Sequence, residues 1–295
     1  MREDDPVWLD RRLFPYDSRF VDVGGHRLHY IDEGSGPVLL FLHGNPTWSF
    51  LYRHIVRRLS PHFRCIAVDY PGFGLSVARR GYGFTPREHS MAIEGFVDAL
   101  DLSLMSIMVQ DWGGPIGLGF AARQPDRVQS LIIGNSFAWP ATPGMKGFSY
   151  IFGNPFARYL IRRTNVLARW LIPAGISRTL SAAELAAYLG PFPTPASRLP
   201  TWIFARHIRA SAPYLAEVER GLTRLSDKPA LILWGSADGA FQAADRDRFA
   251  SLFADHRIVD LFDAKHFIQE DAAPEIAAAI LDWRSRLIVS EEAVR

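Results

Sequence analysis

The chain has 295 residues, 48% of them hydrophobic and 22% charged, with a formal net charge of +2. These values suit one large core or a core with an insertion. They exclude a disordered chain, and they leave no net field that would draw the protein to nucleic acid or an anionic membrane. The single cysteine, Cys65, excludes an intrachain disulfide framework.

The opening MREDDPVWLDRR has no apolar signal-peptide core. No apolar run reaches the roughly 18 residues of a membrane span. A cytoplasmic protein is expected, with neither a membrane nor a nucleic acid as partner. The Arg pairs at 57–58, 79–80 and 162–163 read as solvated faces.

In chain order, FVDVGGHRLHYIDEG predicts two strands around a Gly-Gly turn. PVLLFLHG is a continuous apolar run and suits a strand buried on both faces. Residues 49–59 predict a helix. FRCIAVDY is the next strand, 86–101 a helix, SLMSIMVQ a strand, 113–123 a helix and VQSLIIGN a strand. The alternation implies a doubly wound, mostly parallel sheet of the α/β class.

After Asn135 the texture changes. Residues 137–225 lack buried-strand runs and are rich in aromatics and prolines. ARYLIRRTNVLARWLI is helical in pattern, and SAAELAAYL adds Ser181 as N-cap with Glu184 closing a capping box. Strands resume with PALILWGSAD and HRIVDLFDAKH. A last helix begins near Pro274 and keeps Ile276, Ile280, Trp283 and Leu287 on one stripe. The expected architecture is a core domain of residues 1–136 and 226–295, split by a helical cap domain at 137–225. An aromatic-rich cap could hide an interface between copies of the chain.

The stretch MVQDWGGPIGL carries the chemistry. A strand ends, the chain turns, and Asp111 sits at the tip where many hydrolases place a serine. A carboxylate is ionised at neutral pH and attacks without a base. It can displace a leaving group from a saturated carbon, and water can then attack the carbonyl of the resulting ester. A serine ether formed that way would be a dead end. His266, in DAKHFIQED, suits the base that activates this water. Asp238, in LWGSADGAF, can orient the imidazole and stabilise its cation. Asp263 is a weaker candidate acid, expected still on the strand. The order nucleophile, acid, histidine is that of the α/β-hydrolase fold.

LFLHGNPTWSFLYR supplies the facing wall. The backbone N–H groups of Asn45 and Trp112 can form an oxyanion hole. Their side chains, an amide and an indole N–H, suit a departing halide ion. The nine histidines contain no H-E-x-x-H and no Cys/His cluster, and no nucleotide-binding glycine motif is present. Neither a metal nor a cofactor is therefore expected. Gly72 and Gly74 read as turn residues. Phe137, Trp139, Phe148, Phe152 and Trp202 fit either cap core or substrate wall.

At HGNPTWSFLYR, VQDWGGPIGL and DAKHFIQED the sequence closely resembles the haloalkane dehalogenases of the α/β-hydrolase superfamily. The resemblance spans nearly the whole chain. It implies hydrolysis of haloalkanes to alcohol, halide and a proton, with Asp111 as nucleophile, His266 as base and Asn45 with Trp112 as halide ligands. Some members carry the acid as Glu after the strand preceding the cap. Asn135 stands there and cannot be an anion, so the acid is expected to be Asp238. That combination resembles the third subfamily.

The nearest rival is epoxide hydrolysis, which shares the Asp, His and acid but needs tyrosines to protonate the epoxide oxygen. Tyr150, Tyr159, Tyr188 and Tyr214 are available. Fluoroacetate dehalogenation would need an arginine beside the nucleophile, and Trp-Gly-Gly-Pro follows Asp111 instead. An idle hydrolase-fold binding protein is the remaining class.

Overall fold

Strands whose residues are apolar on both faces must be covered on both, and they form the centre of the molecule. The computed structural model describes residues 6–294. The opening stretch read above for a leader begins in residues 1–5, which lie outside the described residues. The strands are β1 (Arg19–Val23), β2 (His26–Glu33), β3 (Val38–Leu42), β4 (Arg64–Val68), β5 (Met105–Asp111), β6 (Val128–Ser136), β7 (Ala230–Gly235) and β8 (His256–Leu261). They make one sheet in the order β1-β2-β4-β3-β5-β6-β7-β8. β1 and β2 pair antiparallel, as do β2 and β4, and every later pairing is parallel. Chain direction across the sheet reverses at β3: β4 lies on one side of it and β5 on the other. Such a switch point opens a crevice at the strand C-termini, where ligands bind in open α/β sheets.

The covering helices are α1 (Arg53–Leu59), α2 (Pro86–Ala99), α3 (Gly113–Arg123), α10 (Ala243–Ala250), α11 (Ile268–Asp271) and α12 (Ala273–Val294). α2 starts on a capping box, Thr85 with Glu88. On α12 the expected stripe is turned inward: Ile276, Ile280 and Trp283 are buried and Leu287 packs against the same core.

Between β6 and β7 the chain forms α4 (Pro143–Phe152), α5 (Pro155–Thr164), α6 (Val166–Ala174), α7 (Ala182–Leu189), α8 (Leu199–Ala210) and α9 (Ala212–Gly221). Ser181 and Glu184 close the expected capping box on α7. The helical run ARYLIRRTNVLARWLI is broken into α5 and α6. Asn165 sits at φ 57° between them and ends the first helix in the left-handed region, which Asn tolerates better than most residues. Ala157, Ile161, Leu167, Trp202, Ile203 and Ala205 form a separate apolar cluster inside the insertion.

The insertion is stapled to the sheet by buried charge. Arg53 of α1 pairs with Glu184 of α7 and Glu270 of α11, and Arg178 pairs with the same two carboxylates. Tyr188 donates to Glu270 as well. Arg53 and Glu270 are almost wholly removed from solvent. His54, Glu184 and Glu270 bring ligand-type atoms within 4.8 Å of one another. The two arginines already neutralise both carboxylates, which makes this an ion-pair cluster and not a cation site.

Candidate active site

β5 does not stop cleanly. Its ladder with β6 shifts register between Gln110 and Asp111, and Asp111 adopts φ 51° before α3 begins two residues later. That conformation is costly for a residue with a Cβ and must be held by its surroundings. The Ser136 hydroxyl donates to the Asp111 carbonyl at 2.7 Å. The neighbouring loops close in around the turn: a Cβ at Gly44 would overlap the Asp111 carboxylate, and one at Gly113 would overlap the Leu42 carbonyl. The glycines of the motif are there for close approach as much as for turning.

The two oxygens of the Asp111 carboxylate have different neighbours. The Asn45 backbone N–H donates to its Oδ1 at 2.7 Å, with the N–H of Trp112 as a second donor. Oδ2 faces His266, whose Nε2 is 3.6 Å away, too far for a direct hydrogen bond. Burial pushes the Asp111 carboxyl above its ordinary value, while His266 and the two N–H groups pull it back.

His266 Nδ1 lies 3.0 Å from Asp238 Oδ2. This fixes the tautomer: Nδ1 carries the proton toward the carboxylate and Nε2 presents its lone pair. Burial opposes a charged imidazole, but Asp238 and Asp111 outweigh it and raise the His266 pKa above the ordinary histidine value. Burial likewise opposes the Asp238 anion, and His266, Asn135 and the Ala240 N–H outweigh it and hold its carboxyl low.

Asp263 is not on a strand. It lies beyond β8 in a left-handed turn at φ 63°, exposed, with its carbonyl taken by the Ser177 hydroxyl.

On the facing wall, the Asn45 side chain donates to the Thr201 carbonyl at 3.3 Å. That acceptor fixes the amide orientation and leaves the second Nδ2 hydrogen free for another partner. The Trp112 ring is wedged between Phe137 and Phe204, with centroids 5.0 and 5.1 Å away. Phe137 stacks on Phe241, which leans on His266. Phe137 therefore belongs to the wall around the site. Trp139 packs away from it on Phe249, and Trp202 lies in the cluster within the insertion.

Comparison with known proteins now adds to this geometry. The sequence profile described as alpha/beta hydrolase fold matches residues 37–273. Haloalkane dehalogenase 2 of Mycobacterium tuberculosis is 45% identical over 92% of this chain and 96% of its own length. The chain belongs to the haloalkane dehalogenase family. A putative ancestral haloalkane dehalogenase superposes with a TM-score of 0.84 at 30% identity, covering 92% of this chain and 99% of that one. Relatives under another name are similar too, among them cis-3-alkyl-4-alkyloxetan-2-one decarboxylase of Shewanella oneidensis, 31% identical over 91% of this chain and 88% of its own.

For a chain of this family, three neighbours of the site were not read from the sequence as partners. Asn135, read only as a residue that cannot be an anion, donates to Asp238 Oδ2 at 2.6 Å and accepts the Gly235 N–H at 2.7 Å. Gln110 directs its amide nitrogen to His266 Nε2 at 3.2 Å and to the His266 carbonyl at 3.1 Å. Ser136 braces the turn. The one available signal was a polar residue inside an otherwise apolar buried strand, which holds for Gln110 in SIMVQD and for Asn135 in LIIGNS.

Proposed function

We propose that the protein hydrolyses carbon–halogen bonds through a covalent ester on Asp111. Asp111 Oδ2 attacks the saturated carbon from behind the halogen. The carbon–halogen bond breaks, and its electron pair leaves with the halide toward the Asn45 amide and the Trp112 indole N–H. Oδ1 becomes the ester carbonyl oxygen, already holding the Asn45 N–H. Water attacks the ester carbon and gives its proton to His266 Nε2, while Asp238 stabilises the imidazolium. Collapse of the tetrahedral intermediate restores the carboxylate and releases alcohol, halide and a proton. Helices α4–α9 act as the cap that excludes bulk water. The observation that carries this reading is the placement of the Asp111 carboxylate: Oδ1 accepts the Asn45 backbone N–H at 2.7 Å, and Oδ2 faces His266 Nε2 at 3.6 Å.

Epoxide hydrolysis is disfavoured by the four tyrosines considered for it. Tyr150 and Tyr159 point outward and are exposed. The hydroxyls of Tyr188 and Tyr214 are committed to Glu270 and to the Pro115 carbonyl. The decarboxylase relative supports a second reading, the opening of a strained oxetan-2-one by the same nucleophile. A panel of bromoalkanes, epoxides and dialkyl oxetan-2-ones, read by halide, diol and carbon dioxide release, separates the three. Halide release that disappears in Asp111→Asn is expected. Carbon dioxide or diol without halide would replace this reading.

A further inference from the structure

The net charge of +2 averages over an uneven distribution. Residues 137–225 carry eleven Lys and Arg against three Asp and Glu, while the rest of the chain carries twenty-two against twenty-eight. From Phe137 to Ala183 there is no acidic residue at all, yet Lys146, Arg158, Arg162, Arg163, Arg169 and Arg178 fall there.

The same stretch exposes large apolar side chains. Seven of the fourteen exposed large hydrophobics among the described residues lie within 150–170, so they form a concentration and not the usual scatter. α5 buries Ala157 and Ile161, and α6 buries Leu167, Ala168 and Ile172. Phe156, Tyr159, Leu160, Val166 and Trp170 remain outside, with Phe156 70% exposed and Trp170 51%. Tyr150 and Ile151 extend this face from the end of α4, where Phe152 stacks on Trp170. Arg158, Arg163 and Arg169 are exposed among them. Among the described residues, no ion pair to a carboxylate engages these three or Lys146. Their company is aromatic: Arg163 lies over Tyr159 and Arg158 over Trp202.

We propose that this face of α4–α6 docks the protein on an anionic lipid bilayer. Aromatic and aliphatic side chains enter the boundary between headgroups and acyl chains, and the arginines meet lipid phosphates. Charge selects this occupant over a second copy, because two such faces would bring unpaired arginines together with no carboxylate between them. The apolar side chains select it over nucleic acid, where Ile151, Phe156, Leu160 and Val166 would find nothing to bury against. The face also connects inward. The cluster beneath it includes Trp202 and Ile203 of α8, and the adjoining Thr201 and Phe204 touch Asn45 and Trp112. The proposal does not depend on the catalytic reading.

The test is co-sedimentation of the full chain with vesicles of equal phosphatidylcholine and phosphatidylglycerol, against vesicles of phosphatidylcholine alone. Binding is expected to the anionic vesicles, weakened by added NaCl, with little binding to the neutral ones. At about 1 kcal/mol, or roughly fivefold, per basic residue, Arg158→Gln with Arg163→Gln weakens binding by about 25-fold. Phe156→Ser with Trp170→Ser weakens it as well. Both pairs are surface changes and should leave the melting curve and the activity in solution as they are. Absence of binding at low salt, equal binding to both vesicle types, or full binding by both double variants overturns the proposal. Self-association without vesicles that is lost in Phe156→Ser with Trp170→Ser also overturns it and gives the face to a second copy.

Discussion

Replacing Asp238 by Asn should separate the two halves of the reaction. The carboxylate lies 3.0 Å from His266 Nδ1, which puts the centres of charge roughly 4 Å apart. At an effective dielectric constant of about 20 this pairing is worth about 4 kcal/mol to the imidazolium, or three orders of magnitude in any step that forms it. The amide also fits poorly. Asp238 Oδ2 accepts from Asn135 and Oδ1 from the Ala240 N–H, so either orientation of an Asn side chain sets donor against donor. Alkylation of Asp111 forms no imidazolium and should be little changed. Rapid-quench measurement with a bromoalkane should therefore give a burst of halide equal to the enzyme present, then turnover about 1000-fold slower than wild type. Intact mass should show the alkyl-enzyme accumulating. Steady turnover within about tenfold of wild type, or a burst slowed as much as turnover, would refute the role given to Asp238.

The hydrolytic step should rise with pH as His266 loses its proton, because only neutral imidazole is a base. Asp238 raises that midpoint against burial, whereas Asp111 is uncharged in the ester and no longer contributes; a single-turnover pH profile of ester breakdown reads it. Stability should respond on both sides of neutrality. The raised His266 contributes below 6.5 and loses its contribution as pH climbs through its higher folded value. The depressed Asp238 contributes above 3.8 and loses its contribution as pH falls through its lower folded value. Urea unfolding of wild type and Asp238→Asn across this range should show a flatter dependence in the variant. Arg53→Met leaves Glu270 buried beside Arg178 alone and should cost about 3 kcal/mol in urea unfolding, whereas a loss below about 1 kcal/mol would mean the ion cluster is structurally idle. Gly44→Ala should abolish halide release, since its Cβ overlaps the Asp111 carboxylate; a folded Gly44→Ala enzyme releasing halide at the wild-type rate would contradict the geometry of the turn.

Much of this molecule was legible because its signals are local. Buried strands appear as unbroken apolar runs; Asp111 ends one, Asn45 and Asp238 lie three residues beyond two others, and His266 lies five residues beyond the more exposed β8, so the sheet delivers them to one edge. What escaped depends on partners far along the chain. Asn135 was legible as a residue that cannot be an anion, but its service to Asp238 spans 103 positions. Gln110 looked like the end of a strand until the loop 156 positions later brought His266 against it. The break at Asn165 escaped for another reason: apolar periodicity continues across it, and one left-handed residue redirects the chain without disturbing the pattern. Asp263, expected on the strand, lies beyond it, because the ladder ends at Leu261 and the chain turns away. The cationic insertion was always visible in the sequence and vanished only in the sum over the whole chain.

In the proposed reaction Asp111 becomes alkylated and is released by attack of water on its own carbonyl carbon. A single turnover of a bromoalkane in water enriched in oxygen-18, followed by peptide mass analysis, reads this directly. Heavy oxygen incorporated into the side chain of Asp111, with unlabelled oxygen in the alcohol, is the predicted result. Label found in the alcohol from the first turnover, with none in Asp111, would contradict it.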